Sequence, residues 1–134
     1  MSFLFDTTII IDLQKKNKNT LAKLEQLRFL NPNLAKITFV TEFEFLYGLK
    51  EKNHIVAQES IQFLRFFQVL HGNEYTAGIL ADLKYKYQKK GITLSITDLL
   101  IASIAISYNM TLLTRDNDFM VIEELKKIII NNND

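Results

Sequence analysis

The stretch FLFDTTIIIDLQK, residues 3–15, carries the pattern from which the fold is inferred. Its three leading residues, Phe3 to Phe5, are apolar and predict a short buried strand. Asp6 follows that strand directly, and residues 7–15 predict a helix. A strand that passes straight into a helix is typical of folds in which parallel strands alternate with helices.

The same alternation continues through the rest of the chain. Leucines recur every third residue in residues 20–30 and predict an amphipathic helix, which Pro32 ends. We expect further strands at residues 36–40, 111–114 and 128–130, and further helices at residues 41–50, 54–70, 74–90, 97–108 and 118–125. The predicted fold class is therefore α/β, a three-layer arrangement in which helices cover both faces of a central parallel sheet of about four to five strands.

Length and composition predict one domain, residues 1–134. With 134 residues, of which 48% are hydrophobic, the chain can bury one core but is too short for two ordinary domains. The sequence has no cysteine, which excludes disulfides, thiolate zinc sites and cysteine nucleophiles.

Nothing in the sequence predicts a membrane segment. The N-terminus has no basic region before its first acid, so it does not resemble a secretory signal. The longest uncharged stretch, residues 99–114, contains polar residues and is shorter than the ~20 apolar residues that span a bilayer. We expect a soluble, cytoplasmic protein with no membrane contact. Its net charge of +1 predicts that any RNA binding rests on local basic patches.

Several common catalytic motifs are missing from the sequence. It has neither a phosphate-binding GxxxxGK[ST] loop nor a dinucleotide-binding GxGxxG, and no GxSxG nucleophile turn. The two histidines, His54 and His71, do not form a metal-binding HExxH pair, and we interpret both as surface residues. Carboxylates therefore remain as the groups that could carry chemistry.

Acidic residues stand at the junctions between predicted elements. Asp6 follows the first strand, and Glu44 lies in the first turn after the second. Asp98 begins an almost wholly apolar helix, and Asp116 and Asp118 follow the strand at residues 111–114. In a parallel sheet such junctions fall at the edge where strands end and ligands bind.

Each of these acids also has a purely structural interpretation. Asp6 can cap the helix that follows it, as Asp commonly does. Thr41 and Glu44 have the spacing of a capping box, and Thr97 could serve as the N-cap in front of Asp98. The acidic pair after the strand at residues 111–114 is expected to supply one further cap.

Taken together, the acids indicate a metal site. Carboxylates brought within a few ångströms of one another repel and raise one another's pKa values. A divalent cation removes that conflict, and a site built only from oxygen ligands favours Mg²⁺ or Mn²⁺ over zinc.

Four segments, spread in order over nearly the whole chain, resemble the motifs of the PIN-domain family, and within it the VapC-type toxins. They are DTTIII at residues 6–11, TEFEFLYG at residues 41–48, the segment from Gly91 to DLLIA at residues 98–102, and LLTRDNDF at residues 112–119. Thr8 departs from the family pattern, because Asn or Ser is more usual there. Phe43 and Phe45 are bulkier than the residues that usually flank the acid of the second motif.

The resemblance implies a PIN-like fold and a metal-dependent endoribonuclease, a hydrolase that cleaves RNA phosphodiester bonds with water. The implied catalytic residues are Asp6, Glu44, Asp98 and Asp116, the implied ligands of Mg²⁺ or Mn²⁺ are Asp6, Asp98 and Asp116, and the implied supporting groups are Thr7, Thr114 and Asp118. Glu42 is a minor rival of Glu44 for the second acidic position.

The resemblance also implies partners. They are an RNA substrate, a small cognate antitoxin that would block the acidic pocket with a basic side chain, and a second copy of the chain. The expected assemblies are a toxin homodimer and a toxin–antitoxin hetero-oligomer. Lys15, Lys16 and Arg115 are candidates for contact with the RNA backbone. The phenylalanines of residues 63–67 have a spacing that fits either a partner surface or the core.

Two other classes of function stay open. A phosphotransfer domain, of the receiver or phosphatase type, would use Asp6 as its nucleophile, although Thr8 stands where such a phosphatase needs a second acid. A non-catalytic PIN-like module would hold RNA or protein without cleaving it, although all four quartet positions are acidic here.

Overall fold

The structure, a computed structural model, describes residues 2–30 and 35–131. Each of the first three strands is followed by two α-helices, and a 3₁₀ helix, Asn117–Val121, precedes the last strand. The strands are β1 (Phe3–Phe5), β2 (Lys36–Thr38), β3 (Gln68–Leu70), β4 (Thr111–Thr114) and β5 (Lys127–Ile129), and the α-helices are α1 (Thr7–Gln14), α2 (Lys18–Leu30), α3 (Phe39–Gly48), α4 (His54–Leu64), α5 (Thr76–Lys89) and α6 (Ile96–Ser107). Pro32, the predicted end of the second helix, lies outside the described residues.

The strands form one parallel sheet in the order β3-β2-β1-β4-β5. β1 is its central strand, with Leu4 opposite Lys36 of β2 and Leu112 of β4. Phe5 pairs with Leu113, so the residues that follow β1 and β4 emerge side by side at the same edge. The predicted parallel sheet is confirmed.

Alternating side chains of the sheet fill two separate cores. Leu4 and Leu112 point into a core completed by residues of α5 and α6 such as Leu83 and Ile101. Their neighbours point the other way, because side chains alternate along a strand. Phe3, Phe5 and Leu113 pack with residues of α1, α2 and α4, including Ile9, Ile10, Leu24 and Leu64. Helices thus cover both faces, and the predicted three layers are confirmed.

The helix predicted over residues 54–70 is wrong in its last six residues. The sequence predicted a single helix over residues 54–70, but α4 ends at Leu64 and β3 follows at Gln68–Leu70. The apolar residues of this segment fit either period, and pairing with β2 decides between them, since Ile37 stands opposite Val69. The phenylalanines divide: Phe63 and Phe67 pack against the core, whereas Phe66 is 84% exposed.

Two predicted helix caps are also wrong. α3 begins at Phe39, because the Thr38 side chain accepts a hydrogen bond from Thr41 N at 3.1 Å. Thr41 is therefore inside the helix, and β2 ends two residues earlier than predicted. α6 is capped by Ser95 and not by Thr97, since Ser95 Oγ accepts from Asp98 N at 3.1 Å.

The end of the chain is less helical than predicted. The helix expected over residues 118–125 is the short 3₁₀ helix, for which Asp116 is the N-cap. The strand that follows begins at Lys127 and ends at Ile129. Within the described ranges no helix is long and apolar enough to cross a membrane.

Candidate active site

The predicted acids gather at the edge of the sheet where β1 and β4 end. Asp6 directly follows β1 and is held beside β4, because its backbone N–H donates to Leu113 O at 3.2 Å. Asp116 lies two residues after β4. Glu44 comes from α3 and Asp98 from the first turn of α6.

Asp6 is the buried member of this group. Its side chain is 3% exposed, and its Oδ1 accepts hydrogen bonds from Thr8 Oγ1 at 2.6 Å and Ile9 N at 3.2 Å. Its Oδ2 accepts from Thr114 Oγ1. The bond from Ile9 N makes Asp6 the N-cap of α1, so the cap and site interpretations are both compatible with its position.

The surroundings of Asp6 favour its protonated form. Burial raises the pKa of its carboxyl to about 6, against the lowering effect of the hydrogen bonds from Thr114, Thr8 and Ile9. The nearby charge of Asp116 adds a smaller increase. The cause is the desolvation of a carboxylate at the bottom of the site.

Two threonines connect Asp6 to the turn after β4. Thr8 Oγ1 donates to Asp6 and accepts from Arg115 N at 2.9 Å. Thr114 Oγ1 donates to Asp6 and accepts from Asp116 N at 2.9 Å. The sequence suggested Thr114 as a supporting group but gave Thr8 no role, because its acceptor function depends on a backbone 107 residues away.

Glu44 is placed by Thr7, which the sequence also named as a supporting group. Thr7 Oγ1 donates to Glu44 Oε1 at 2.6 Å. The negative charge of Glu44 repels that of Asp98 and raises the pKa of the Asp98 carboxyl. These contacts put Glu44 at the site and favour it over Glu42.

Asp98, Asp116 and Asp118 form the tightest carboxylate cluster. One oxygen from each lies within 4.8 Å of the others. Asp118 N also donates to Asp116 Oδ1 at 2.9 Å, which fixes the two acids of the turn. Partial burial raises the pKa of Asp98, and Asp116, Asp118 and Glu44 raise it further. The trio predicted to bind the metal had Asp6 in the place of Asp118.

The donor set fits a hard divalent cation. Its atoms are carboxylate oxygens, which Mg²⁺ and Mn²⁺ prefer. Among the described side chains, those of residues 2–27 and 35–131, no ion pair involves Asp98, Asp116 or Asp118. The negative charge of the cluster is thus not balanced by a lysine or arginine in this part of the chain.

Comparison with known proteins agrees with this geometry. The family model described as PIN domain matches residues 3–125. The chain belongs to the PIN-domain family.

This PIN domain has relatives among named proteins and solved structures. It is 31% identical over 104 residues to Ribonuclease VapC3 of Methanocaldococcus jannaschii, an alignment covering 78% of this chain and 98% of that protein. A chain in the crystal structure of VapBC2 from Rickettsia felis, bound to a DNA fragment from their promoter, is 27% identical, with a TM-score of 0.83 and coverage of 96% and 98%. A chain of VapBC-1 from nontypeable Haemophilus influenzae is 26% identical, with a TM-score of 0.80 and the same coverage.

The lysines predicted to contact RNA lie at the far end of α1 from Asp6. Lys15 is the C-cap of that helix, and Lys16 has a left-handed backbone with φ 57°. Lys16 N donates to Leu13 O at 3.2 Å and Asn17 N to Asp12 O at 2.9 Å, the pattern of a Schellman turn. Both side chains are exposed, and α1 holds them roughly 12 Å from the acids.

Arg115 of the PIN domain is engaged within the protein. Its Nη1 lies 2.9 Å from Asp12 Oδ1 and 2.8 Å from Asp12 Oδ2. Asp12 is buried and also accepts from Thr20 Oγ1 at 2.6 Å. Sequence reasoning missed this pair. The available signal was an acid inside the apolar run of α1, four residues after Thr8 and hence on the same helix face.

Proposed function

We propose that this PIN domain is a metal-dependent endoribonuclease and the toxin of a toxin–antitoxin pair. The observation that carries the proposal is the gathering of Asp6, Glu44, Asp98 and Asp116, with Asp118, at one edge of the sheet. The same quartet, Asp6, Glu44, Asp98 and Asp116, is implied by the resemblance of the sequence to the motifs of the family. A relative that aligns over 98% of its own length is named a ribonuclease.

Asp98, Asp116 and Asp118 would hold Mg²⁺ or Mn²⁺ through the oxygens that lie within 4.8 Å of one another. Asp6 would complete the set from the buried side, since its Oδ2 accepts one hydrogen bond and a carboxylate oxygen can accept two. A divalent cation supplies acidity to water and neutralises charge on the scissile phosphate.

Glu44 is proposed to orient the attacking water and to take its proton. Thr7 donates to Oε1 of Glu44, which fixes the carboxylate and leaves Oε2 for the water. Water oxygen attacks phosphorus, the bond from phosphorus to O3′ breaks, and O3′ takes a proton from solvent. The products are a 5′-phosphate and a 3′-hydroxyl.

The remaining partners follow from the same proposal. Lys15 and Lys16, both exposed, would guide the RNA backbone toward the acids. The VapBC structures that resemble this chain support a small cognate antitoxin as partner. We propose in addition a toxin homodimer and a hetero-oligomer of toxin and antitoxin. With RNA as its substrate, the chain is proposed to act in the cytoplasm.

The alternative of phosphotransfer fits the site less well. A nucleophilic aspartate needs an accessible oxygen, and Asp6 is 3% exposed with hydrogen bonds to both oxygens. A non-catalytic module would have no need of a set of acids that repel one another.

Cleavage of RNA by the purified chain tests the proposal. We expect cleavage with Mg²⁺ or Mn²⁺, none in EDTA, and a loss of at least about 100-fold in Asp98→Asn, which removes a ligand charge. Asp82→Asn is the matched control, because Asp82 is exposed on α5. Full cleavage in EDTA or by Asp98→Asn would contradict the proposal.

A further inference from the structure

The turn after β4 is attached to the rest of the protein on two sides. On one side, Thr8 and Thr114 bind its backbone at Arg115 N and Asp116 N, both at 2.9 Å. On the other side, the Arg115 side chain reaches Asp12 in the second half of α1. Asp116 and Asp118 stand on this turn, so both attachments bear on where their carboxylates lie.

The Asp12–Arg115 ion pair is sheltered from solvent. Asp12 is 6% exposed, and the Arg115 side chain is 24% exposed. Thr20 of α2, itself buried, donates to Asp12 Oδ2 and fixes the carboxylate from a third element. A pair held at this depth has a defined geometry, unlike an exposed pair of flexible side chains.

Within the pair, Asp12 is the fixed partner and Arg115 belongs to the turn that the pair holds. Asp12 is held in place by contacts other than the one with Arg115. Its backbone oxygen accepts a hydrogen bond in the turn that follows α1, and its side chain accepts one from Thr20. Arg115 stands next to Asp116 in the chain and has its own backbone N–H fixed by Thr8. The ion pair therefore adds a side-chain attachment to the backbone attachment of the turn that carries Asp116.

We infer that Asp12 and Arg115 are positioning residues for the metal site, and that their ion pair sets the place of Asp116 and Asp118 relative to Asp98. This inference rests on the proposed function, because it assumes that these acids bind a divalent cation. It replaces the earlier expectation for Arg115, a contact with the RNA backbone, by a role that is exerted without RNA. Groups that orient metal ligands commonly change metal affinity by 10- to 100-fold when they are removed.

The geometry of the pair predicts which substitutions are tolerated. Both contacts to Asp12 come from Nη1 alone, so the pair depends on one cationic donor and not on the planar fork of the guanidinium, and a lysine supplies such a donor. Arg115→Lys should therefore keep the metal affinity, whereas Arg115→Gln leaves Asp12 buried without a cation. Asp12→Asn keeps the shape of the side chain but removes its charge.

Binding of Mn²⁺ alone, measured by electron paramagnetic resonance without RNA, tests the inference. Asp12→Asn and Arg115→Gln should each weaken Mn²⁺ binding about tenfold, and the double variant should be no weaker than the worse single one. Arg115→Lys should bind within about twofold of the unsubstituted chain. Urea unfolding in EDTA is measured for each variant, and binding is compared only at temperatures where that variant is fully folded.

Lys86→Gln provides the matched control. Lys86 pairs with Glu124 at 2.9 Å on the surface, and removing that pair should leave Mn²⁺ binding unchanged. Unchanged Mn²⁺ affinity in Asp12→Asn and Arg115→Gln overturns the inference. A raised KM for RNA in Arg115→Gln, with Mn²⁺ affinity intact, would assign Arg115 to the substrate and also overturn it.

The outcomes separate this inference from the proposed function. A chain that binds Mn²⁺, responds to the Asp12 and Arg115 substitutions as expected and cleaves no RNA would support the inference and refute the function. A chain that cleaves RNA with Mn²⁺ affinity insensitive to both substitutions would do the reverse. A chain that binds no Mn²⁺ would overturn both.

Discussion

At the scale of single residues, Asp6 lies in surroundings that suit its uncharged form. Its pKa of about 6 exceeds the ordinary value of 3.8 because burial outweighs the hydrogen bonds it accepts. The folded chain therefore binds more protons than the unfolded chain between these two values. The free energy of unfolding of the metal-free protein falls as the pH rises through this window.

Asp6→Asn should remove this pH dependence. At 1.36 kcal/mol per pKa unit, the ionised carboxylate destabilises the metal-free fold by about 3 kcal/mol at neutral pH. In EDTA at pH 7, Asp6→Asn should be more stable than the unsubstituted chain, with a flatter stability profile between about pH 4 and 6. Urea unfolding across this range measures both effects. Lower stability of the variant at pH 7 would show that the charge of Asp6 is compensated within the protein.

The sequence predicted the acids and two of the threonines that contact them, Thr7 and Thr114, but it gave no role to Thr8 or Asp12. Asp6, Glu44, Asp98 and Asp116 could be placed together because each stands at a junction of strand and helix, and the sheet brings such junctions to one edge. The roles of Thr8 and Asp12 could not be found in this way. Their partners stand 107 and 103 residues away, and local patterns contain no information about contacts at that separation.

At the scale of elements, the start of α6 shows how one side chain sets a helix boundary. Ser95 Oγ accepts from Asp98 N and lies 3.2 Å from Thr97 Oγ1. From the sequence, Thr97 was the candidate cap, and Ser95, which stands two residues earlier, was not considered. Ser95 is the N-cap because its Oγ accepts the hydrogen bond from the backbone of Asp98. This cap places Asp98 in the first turn of the helix, facing the other acids.

Substitution of the two hydroxyl residues distinguishes the caps. Ser95→Ala should lower the free energy of unfolding by about 1 kcal/mol, because Asp98 N loses its acceptor. Thr97→Ala should cost less, since a position inside the helix favours alanine. Both variants are compared by urea unfolding in EDTA. A larger loss of unfolding free energy in Thr97→Ala than in Ser95→Ala would show that Thr97 is the N-cap.

The strand that was not predicted from the sequence is β3, which joins a helix with no break in the apolar pattern. β3 has three residues, and its apolar side chains follow α4 without a break in pattern. Pairing with β2 makes it a strand, and that pairing is a property of the sheet. The longer helices α5 and α6 were predicted to within two residues at each end, because their own periodicity or apolar length defines them.

At the scale of the whole molecule, the fold brings together acids that repel one another. The carboxylates come from the residue after β1, from α3 and α6, and from the turn after β4, so the sheet and its helices must hold them against that repulsion. The energy of packing in the two cores is what makes the arrangement possible in the metal-free protein. A bound divalent cation should therefore stabilise the entire fold.

Mn²⁺ should raise the Tm of the protein. At a free concentration of 100 times Kd, binding adds about 2.7 kcal/mol to the free energy of unfolding, which is roughly 10 °C for a chain of this length. Asp116→Asn should lose most of the shift while remaining folded, because it removes the charge of one ligand and also part of the repulsion. Asp82→Asn, outside the site, should keep the full shift. Equal shifts in all three proteins would place the binding of Mn²⁺ elsewhere.

The position of β4 beside β1 determines when during synthesis the site can exist. Thr114 and Asp6 are 108 residues apart in the chain, and the residues between them include α3 and α6, which supply two of the acids. A nascent or truncated polypeptide that stops before β4 carries Asp6, Glu44 and Asp98 but has no neighbouring strand to complete the edge. We therefore expect no RNA cleavage by fragments left by stalled translation before β4, because the site also needs Asp116 and Asp118 from the turn that follows this strand.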